Sequence, residues 1–184
     1  MTPIPVVIDC DPGHDDAIAL MLAAASPELE LVGVTTVAGN TTVDKTTRNA
    51  LAVLELIGRT DVPVAMGSDV PLERNLVTAE YVHGSTGLDG PELHEPIMQP
   101  HELGAVSYLA RTLASSDRRI TLIPVGPLTN IALLISAHPD LVERIERIVL
   151  MGGAIGLGNI TPAAEFNIYV DPEAADLVFR SGLD

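Results

Sequence analysis

Apolar and polar positions along this chain fall into blocks of changing period. Residues 4–8, IPVVI, are apolar without interruption and predict a strand buried on both faces. Residues 17–25, AIALMLAAA, are a run of strong helix formers. Ser26-Pro27-Glu28 breaks the chain, and residues 29–37 predict a second strand with Leu31, Val32, Val34 and Val37 apolar. After Ala38-Gly39-Asn40, Thr41 or Thr42 is placed to cap a helix running to Ile57. Its apolar face is Val43, Ala50, Leu51, Leu54 and Ile57, and Gly58 suits its C-terminal cap. Further strands are predicted over residues 62–66, 119–124 and 145–151. Further helices are predicted over residues 101–114, from Gly126-Pro127 to 136, and over 172–180.

Two stretches escape this alternation. Residues 67–100 are rich in Gly, Pro, His and Glu and contain His83-Gly84-Ser85-Thr86-Gly87-Leu88-Asp89-Gly90. Their periodicity is too poor to assign elements, and a connection of that length reads as a functional loop. A second loop opens at Gly152-Gly153 and runs through Asn167. No repeat, low-complexity tract or domain boundary interrupts the pattern. The expectation is one α/β domain over residues 1–184, with an open, mostly parallel sheet and helices on both faces.

Composition narrows the picture. Hydrophobic residues make up 47% of the chain and mean hydropathy is +0.32, as in a globular protein. The apolar run after Asp16 is too short to span a bilayer. The segment Met1-Thr2-Pro3-Ile4-Pro5 has no basic residue ahead of its apolar stretch and does not read as a signal peptide. One cysteine, Cys10, leaves no internal disulfide, which fits a reducing compartment and a cytoplasmic location. With 10 basic against 25 acidic residues the net charge is −15. That balance disfavours nucleic acid and anionic membrane as partners but not a neutral small molecule.

The chemistry is concentrated in Asp9-Cys10-Asp11-Pro12-Gly13-His14-Asp15-Asp16, with four carboxylates among eight residues. This segment joins the first strand to the first helix, at the sheet edge where α/β proteins bind ligands. Helix capping accounts for one of these acids but not for all four together. A hard cation with oxygen ligands accounts for the cluster better. Other polar residues follow strand ends: Asn40 after the second, Thr129 and Asn130 after the fourth, and Asn159, Glu165 and Asn167 after the fifth. Three functions compete on this basis. One is phosphoryl transfer of the haloacid-dehalogenase type with Asp9 or Asp11 as nucleophile, which wants a lysine; the chain has only Lys45, inside a predicted helix. The second is metal-assisted hydrolysis of an uncharged, polyhydroxylated substrate. The third is an inactive module that binds calcium or a partner surface. Asp9 reads as structural, Cys10 as a small buried group, and Asn130 as bonding backbone in the first turns of its helix. His14 reads as a loop histidine or as one near substrate, and His83 as one able to close over it. His94, His101 and His138 read as surface residues. Gly156-Leu157-Gly158-Asn159 lacks the glycine spacing of a dinucleotide fingerprint.

These residues also carry a resemblance. The segment 9–17, DCDPGHDDA, resembles the N-terminal signature of the nucleoside hydrolases. The likeness continues through Val37-Ala38-Gly39-Asn40, His83-Gly84, Gly126-Pro127-Leu128-Thr129-Asn130, Met151-Gly152-Gly153, Ala164-Glu165-Phe166-Asn167 and Asp171-Pro172-Glu173-Ala174-Ala175. The resemblance implies a Rossmann-like fold and hydrolysis of the N-glycosidic bond of a ribonucleoside to ribose and free base. It implies a calcium ion on Asp11, Asp16 and the main-chain carbonyl of Val125, with Asp11 as general base. Asp15 and Asn167 would hold the ribose 2′- and 3′-hydroxyls, and Asn159 and Glu165 the 5′-hydroxyl. Asn40 would place the water and the ribose, and Met151 would pack beneath the sugar. His14 is similar to the residue of the pyrimidine-preferring branch. Members of the family are commonly homo-oligomers and continue well beyond position 184, with a late Asp on the metal and a late His. The chain therefore reads as the N-terminal portion of such a domain, truncated at its C-terminus.

Overall fold

The computed structural model describes residues 2–184. The run Ile4–Cys10 is β1, the middle strand of a five-stranded sheet. It is followed by α1 (His14–Ala25), β2 (Leu29–Thr36), α2 (Val43–Leu56) and β3 (Val64–Met66). The chain then crosses the sheet through α3 (Glu80–His83) and α4 (Ala105–Ser115) to β4 (Ile120–Pro124), α5 (Thr129–Ala137) and β5 (Ile145–Ile148). Two helices follow, α6 (Phe166–Val170) and α7 (Pro172–Arg180). The strand order is β3-β2-β1-β4-β5 and every pairing is parallel. The direction of winding reverses between β1 and β4, and the carboxyl ends of those two strands open a crevice.

Alternation along β1 splits the core in two. Val6, Ile8 and Cys10 face α1 and α2, where they meet Leu20, Leu51 and Leu54. Val7 faces the other layer, with Leu109, Leu113, Ile131 and Val178 from α4, α5 and α7. Cys10 is fully buried with its Sγ 3.6 Å from the Thr35 carbonyl, and burial raises its thiol pKa. Among the described residues no helix is long and apolar enough to cross a membrane.

The predicted order of strands and long helices is the observed one, with four differences. α4 starts at Ala105, not at 101, because His101 Nδ1 accepts from the Leu103 amide and turns the chain ahead of Gly104. β3 and β5 are shorter than expected. Beyond β5, however, the amides of Val149 and Met151 donate to the carbonyls of Leu122 and Pro124, so chain 149–151 still runs alongside β4. The loop 67–100 contains α3, and the loop 152–167 ends in the first turn of α6; helices of four and five residues are too short to show a period. The turn 139–144 is a 3₁₀ helix the pattern does not reveal.

Candidate active site

The acid segment sits over the crevice. Asp9, the penultimate residue of β1, points into the sheet. Its Oδ1 accepts from Thr35 Oγ1 at 2.5 Å and from Asn130 Nδ2 at 2.8 Å. Burial pushes its carboxyl up to about 7 against the pull of those two bonds. Asp9 is thus structural, as its place in the sequence suggests. Asn130 differs from expectation: it bonds no backbone of its own helix but bridges β1, β2 and the loop after β3. Besides Asp9 it donates to the Thr36 carbonyl at 2.9 Å, and its Oδ1 accepts the Ser68 amide at 3.0 Å.

Asp11 lies one step further, buried beneath the turn. Its Oδ2 accepts the Asn40 amide at 2.7 Å, and Asn40 Nδ2 returns a bond to the Asp11 carbonyl at 3.0 Å. Two glycines make room for it. A Cβ on Gly39 would stand 2.2 Å from Asp11 Oδ2, and one on Gly126 would stand 2.6 Å from Oδ1. Asp16, in the first turn of α1, accepts the Gly13 amide at 3.3 Å through Oδ2. Asp11 Oδ1 and Asp16 Oδ1 are both buried with no hydrogen-bond partner. Burial first, and then a neighbouring carboxylate, raises the pKa of each: the charge of Asp15 adds to burial in bringing Asp16 to about 7, and that of Asp16 adds to burial in raising Asp11. A buried carboxylate oxygen without a donor is costly unless a proton or a cation meets it.

Above these acids lies a cavity of about 230 Å³, walled by Asp15, Asp16, Asn40, His83, Val125, Met151, Asn159, Glu165 and Asn167. Asp11 is beneath its floor and not part of the wall. Every other sequence-predicted site residue lines this one space. Asn167 Nδ2 donates to the carbonyls of Val125 and Met151 at 2.8 and 3.1 Å. Glu165 caps α6, accepting the Asn167 amide at 3.0 Å and the Gly153 amide at 3.0 Å. Asn159 Oδ1 accepts the Phe166 amide at 2.7 Å and keeps its amide group uncommitted. Tyr81, Val82, Ala79 and Phe166 complete the wall. No motif singles out Ala79, Tyr81 or Val82, which only the fold of the long loop brings in, and Phe166 stands in the motif of residues 164–167 without a role of its own. Among the described residues no Lys or Arg lines the cavity, and no three His, Cys, Asp or Glu side chains converge on one metal point.

The segment 84–90 follows the cavity residue His83 and packs against α1 and α2. It is fastened by three side-chain donors: Lys45 Nζ to the Ser85 carbonyl at 2.6 Å, Asn49 Nδ2 to that of Thr86 at 2.9 Å, and His14 Nε2 to that of Asp89 at 2.8 Å. Lys45, also paired with Glu80 at 3.2 Å, is a fastener of this loop and not a phosphate ligand. Gly84, Gly87 and Gly90 have φ of +79°, +80° and +121°, values glycine reaches without strain. His83 leads into the segment. Its ring stacks on His14, and partial burial lowers its pKa. His94 is exposed and His101 and His138 are half-buried, all three outside the cavity.

A parallel sheet with buried carboxylates, and with amide and carboxylate side chains around a cavity at its switch-point crevice, defines an α/β protein with a candidate small-molecule site. The chain belongs to the inosine-uridine preferring nucleoside hydrolase family, whose profile matches residues 6–184. It is 61% identical over 179 residues to a pyrimidine-specific ribonucleoside hydrolase, RihA, of Shewanella sp. strain MR-7, covering 97% of this chain and 56% of that one. The corresponding RihA of Escherichia coli O81 strain ED1a is 58% identical over 180 residues, covering 98% and 58%. Among solved structures a plant nucleoside hydrolase superimposes with a TM-score of 0.91 at 41% identity, covering 99% of this chain and 58% of the other. A purine-preferring ribonucleoside hydrolase from Gardnerella vaginalis gives 0.90 at 34%, covering 97% and 58%. The chain spans a little over half the length of the curated relatives it matches.

Proposed function

We propose that this protein hydrolyses the N-glycosidic bond of ribonucleosides, pyrimidine nucleosides preferentially, releasing ribose and free base. The observation that carries the reading is the pair of buried, partnerless oxygens, Asp11 Oδ1 and Asp16 Oδ1, under a cavity walled by amides and carboxylates. The identity to relatives named as pyrimidine-specific ribonucleoside hydrolases supports the choice of base. The oxygen donors Asp11, Asp16 and the Val125 carbonyl fit a hard divalent cation, calcium in this reading. Such an ion lowers the pKa of water and favours the ionised forms of the acids around it.

The chain's own residues then divide the work. Asp11, fixed by the Asn40 amide, takes a proton from the attacking water. Asn40 places that water and one edge of the ribose. Asp15 and Asn167 bind the 2′- and 3′-hydroxyls, and Asn159 and Glu165 the 5′-hydroxyl. As the glycosidic bond breaks, positive charge develops on the ribosyl ring, and the surrounding carboxylates stabilise it electrostatically. Met151 packs under the sugar and His83 stands beside the departing base. Among the described residues no Lys or Arg side chain lines the cavity, which speaks against the phosphohydrolase reading and its need for a lysine beside the phosphate. A cytoplasmic protein, acting on a small nucleoside as a homo-oligomer and not on nucleic acid or membrane, fits the acidic charge.

A reducing-sugar assay on uridine, cytidine and inosine tests the proposal. Ribose release with calcium, greatest for the pyrimidines, is expected. Calcium binding without release from any of the three would instead mark an inactive binding module.

A further inference from the structure

Two histidines meet at the mouth of the cavity in a way that fixes where their protons are. His14 Nε2 lies 2.8 Å from the Asp89 main-chain carbonyl. A carbonyl oxygen can only accept, so Nε2 carries the hydrogen. In the neutral ring His14 Nδ1 is then an acceptor, and it lies 3.2 Å from His83 Nδ1. His83 must therefore donate from Nδ1, which strips the hydrogen from its Nε2. Among the described residues His83 Nε2 has no protein partner, and the His83 ring lines the cavity. The geometry is held on both sides. The rings stack with centroids 5.5 Å apart and 24° between planes. A Cβ on Gly13 would stand 2.6 Å from His83 Nδ1, so the glycine lets that ring edge approach the turn. The acceptor itself is fixed: Asp89 ties its own turn by accepting the amides of Ser85 and Thr86 at 3.2 and 3.1 Å.

We propose that His14 is a positioning residue: anchored on the Asp89 carbonyl, it holds His83 in the Nδ1–H tautomer and makes Nε2 the atom of the pair that exchanges a proton with the cavity. His83 takes a proton from solvent on Nε2 while its own Nδ1–H stays hydrogen-bonded to His14 Nδ1, and the proton that Asp11 takes from the attacking water returns to solvent. From Nε2 the proton on His83 passes to a departing base, and the ring returns to its starting tautomer. This inference rests on the reading of the cavity as a nucleoside site. It explains a histidine at position 14 by its ring, which offers one donor and one acceptor in the line from Asp89 to His83.

The test is nitrogen-15 long-range correlation NMR of the histidine rings at about pH 8, above the usual imidazole value of about 6.5. The expected spectrum shows His83 protonated on Nδ1 and bare on Nε2, with His14 the reverse. In His14→Ala, His83 should move to a mixture in which Nε2–H is populated. In His14→Gln, whose amide both donates and accepts, the native tautomer should return. A native His83 protonated on Nε2, or a tautomer unchanged in His14→Ala, would overturn the proposal. On turnover of uridine, His14→Ala should lower kcat more than it raises KM, and His14→Gln should recover part of the loss; an unchanged kcat in His14→Ala would also count against it. The spectra are readable whether or not His83 serves the reaction. Native tautomers together with full activity in His83→Ala would leave the hydrogen-bond assignment standing and remove His83 from the nucleoside site.

Discussion

Asn167 in the first turn of α6 donates its side-chain amide to the carbonyl of Val125, 2.8 Å away in the turn after β4. One residue thereby fixes a main-chain oxygen of the proposed cation set and lines the proposed sugar cavity. Its two jobs are separable in measurement. Asn167→Ala removes a hydroxyl ligand and frees the carbonyl. It should lower kcat/KM for uridine by about tenfold to a hundredfold, as the loss of a hydrogen bond worth roughly 1.5–3 kcal/mol would. Calcium affinity should fall less. Steady-state kinetics and calcium titration of the same variant check this; an unchanged kcat/KM would remove Asn167 from the sugar site.

The close approach of Gly126 to Asp11 is a second handle. Gly126→Ala places a methyl group 2.6 Å from Asp11 Oδ1, a distance real Cβ contacts do not show, so the carboxylate must shift. Calcium affinity should drop by at least about tenfold, the scale on which metal sites answer to disturbed ligand support. Gly104→Ala is the control, because its nearest neighbour would be the Met66 carbonyl at an ordinary 3.5 Å. Calorimetric titration should separate the two variants, and equal affinities would contradict the placement of Asp11 as a ligand.

Asn130 binds Asp9, Thr36 and Ser68 from a fully buried position. Asn130→Ala leaves those three groups short of a partner and should cost about 2–4 kcal/mol. For a chain of this size that lowers Tm by roughly 5–12 °C, measurable by calorimetry. A change within a degree or two would mean that water replaces the amide at no cost.

The contrast between Asp9 and Asn130 marks how far the sequence could be read. Asp9 reads from the sequence as a structural residue bonding backbone under the loop, and it is held instead by the side chains of Thr35 and Asn130. Nothing local marks Asn130 as its partner, because the two are 121 residues apart and meet only once β1 and β4 pair. The same limit applies to the cavity wall. Asp15, Asn40, Glu165 and Asn167 stand at strand ends or helix starts and are legible from periodicity plus residue type. Tyr81, Val82 and Phe166 belong to helices of four or five residues, whose formation depends on tertiary packing and on caps such as Glu165. The resemblance to nucleoside hydrolases supplied the roles, while the sheet topology accounts for why those residues share one edge.

The fastened segment 84–90 predicts a binding defect of its own. Asn49 donates to the Pro12 carbonyl at 3.1 Å and the Thr86 carbonyl at 2.9 Å, joining the acid turn to the loop. Asn49→Ala should loosen the loop, raising amide exchange across 84–90 and raising KM for uridine by roughly threefold to tenfold, the equivalent of about one hydrogen bond. Faster exchange with an unchanged KM would show that the segment does not cover the substrate.

The central claim is that Asp11 activates water against a ribonucleoside, and ribose release from uridine by the native protein and by Asp11→Asn tests it most directly. The native protein should release ribose in calcium and stop when the ion is chelated. Asp11→Asn should fold but turn over on the order of a thousandfold or more slowly, since general-base loss alone costs about 10²–10⁴. Near-native turnover by Asp11→Asn, or no ribose from uridine with the native protein in calcium, would contradict the account.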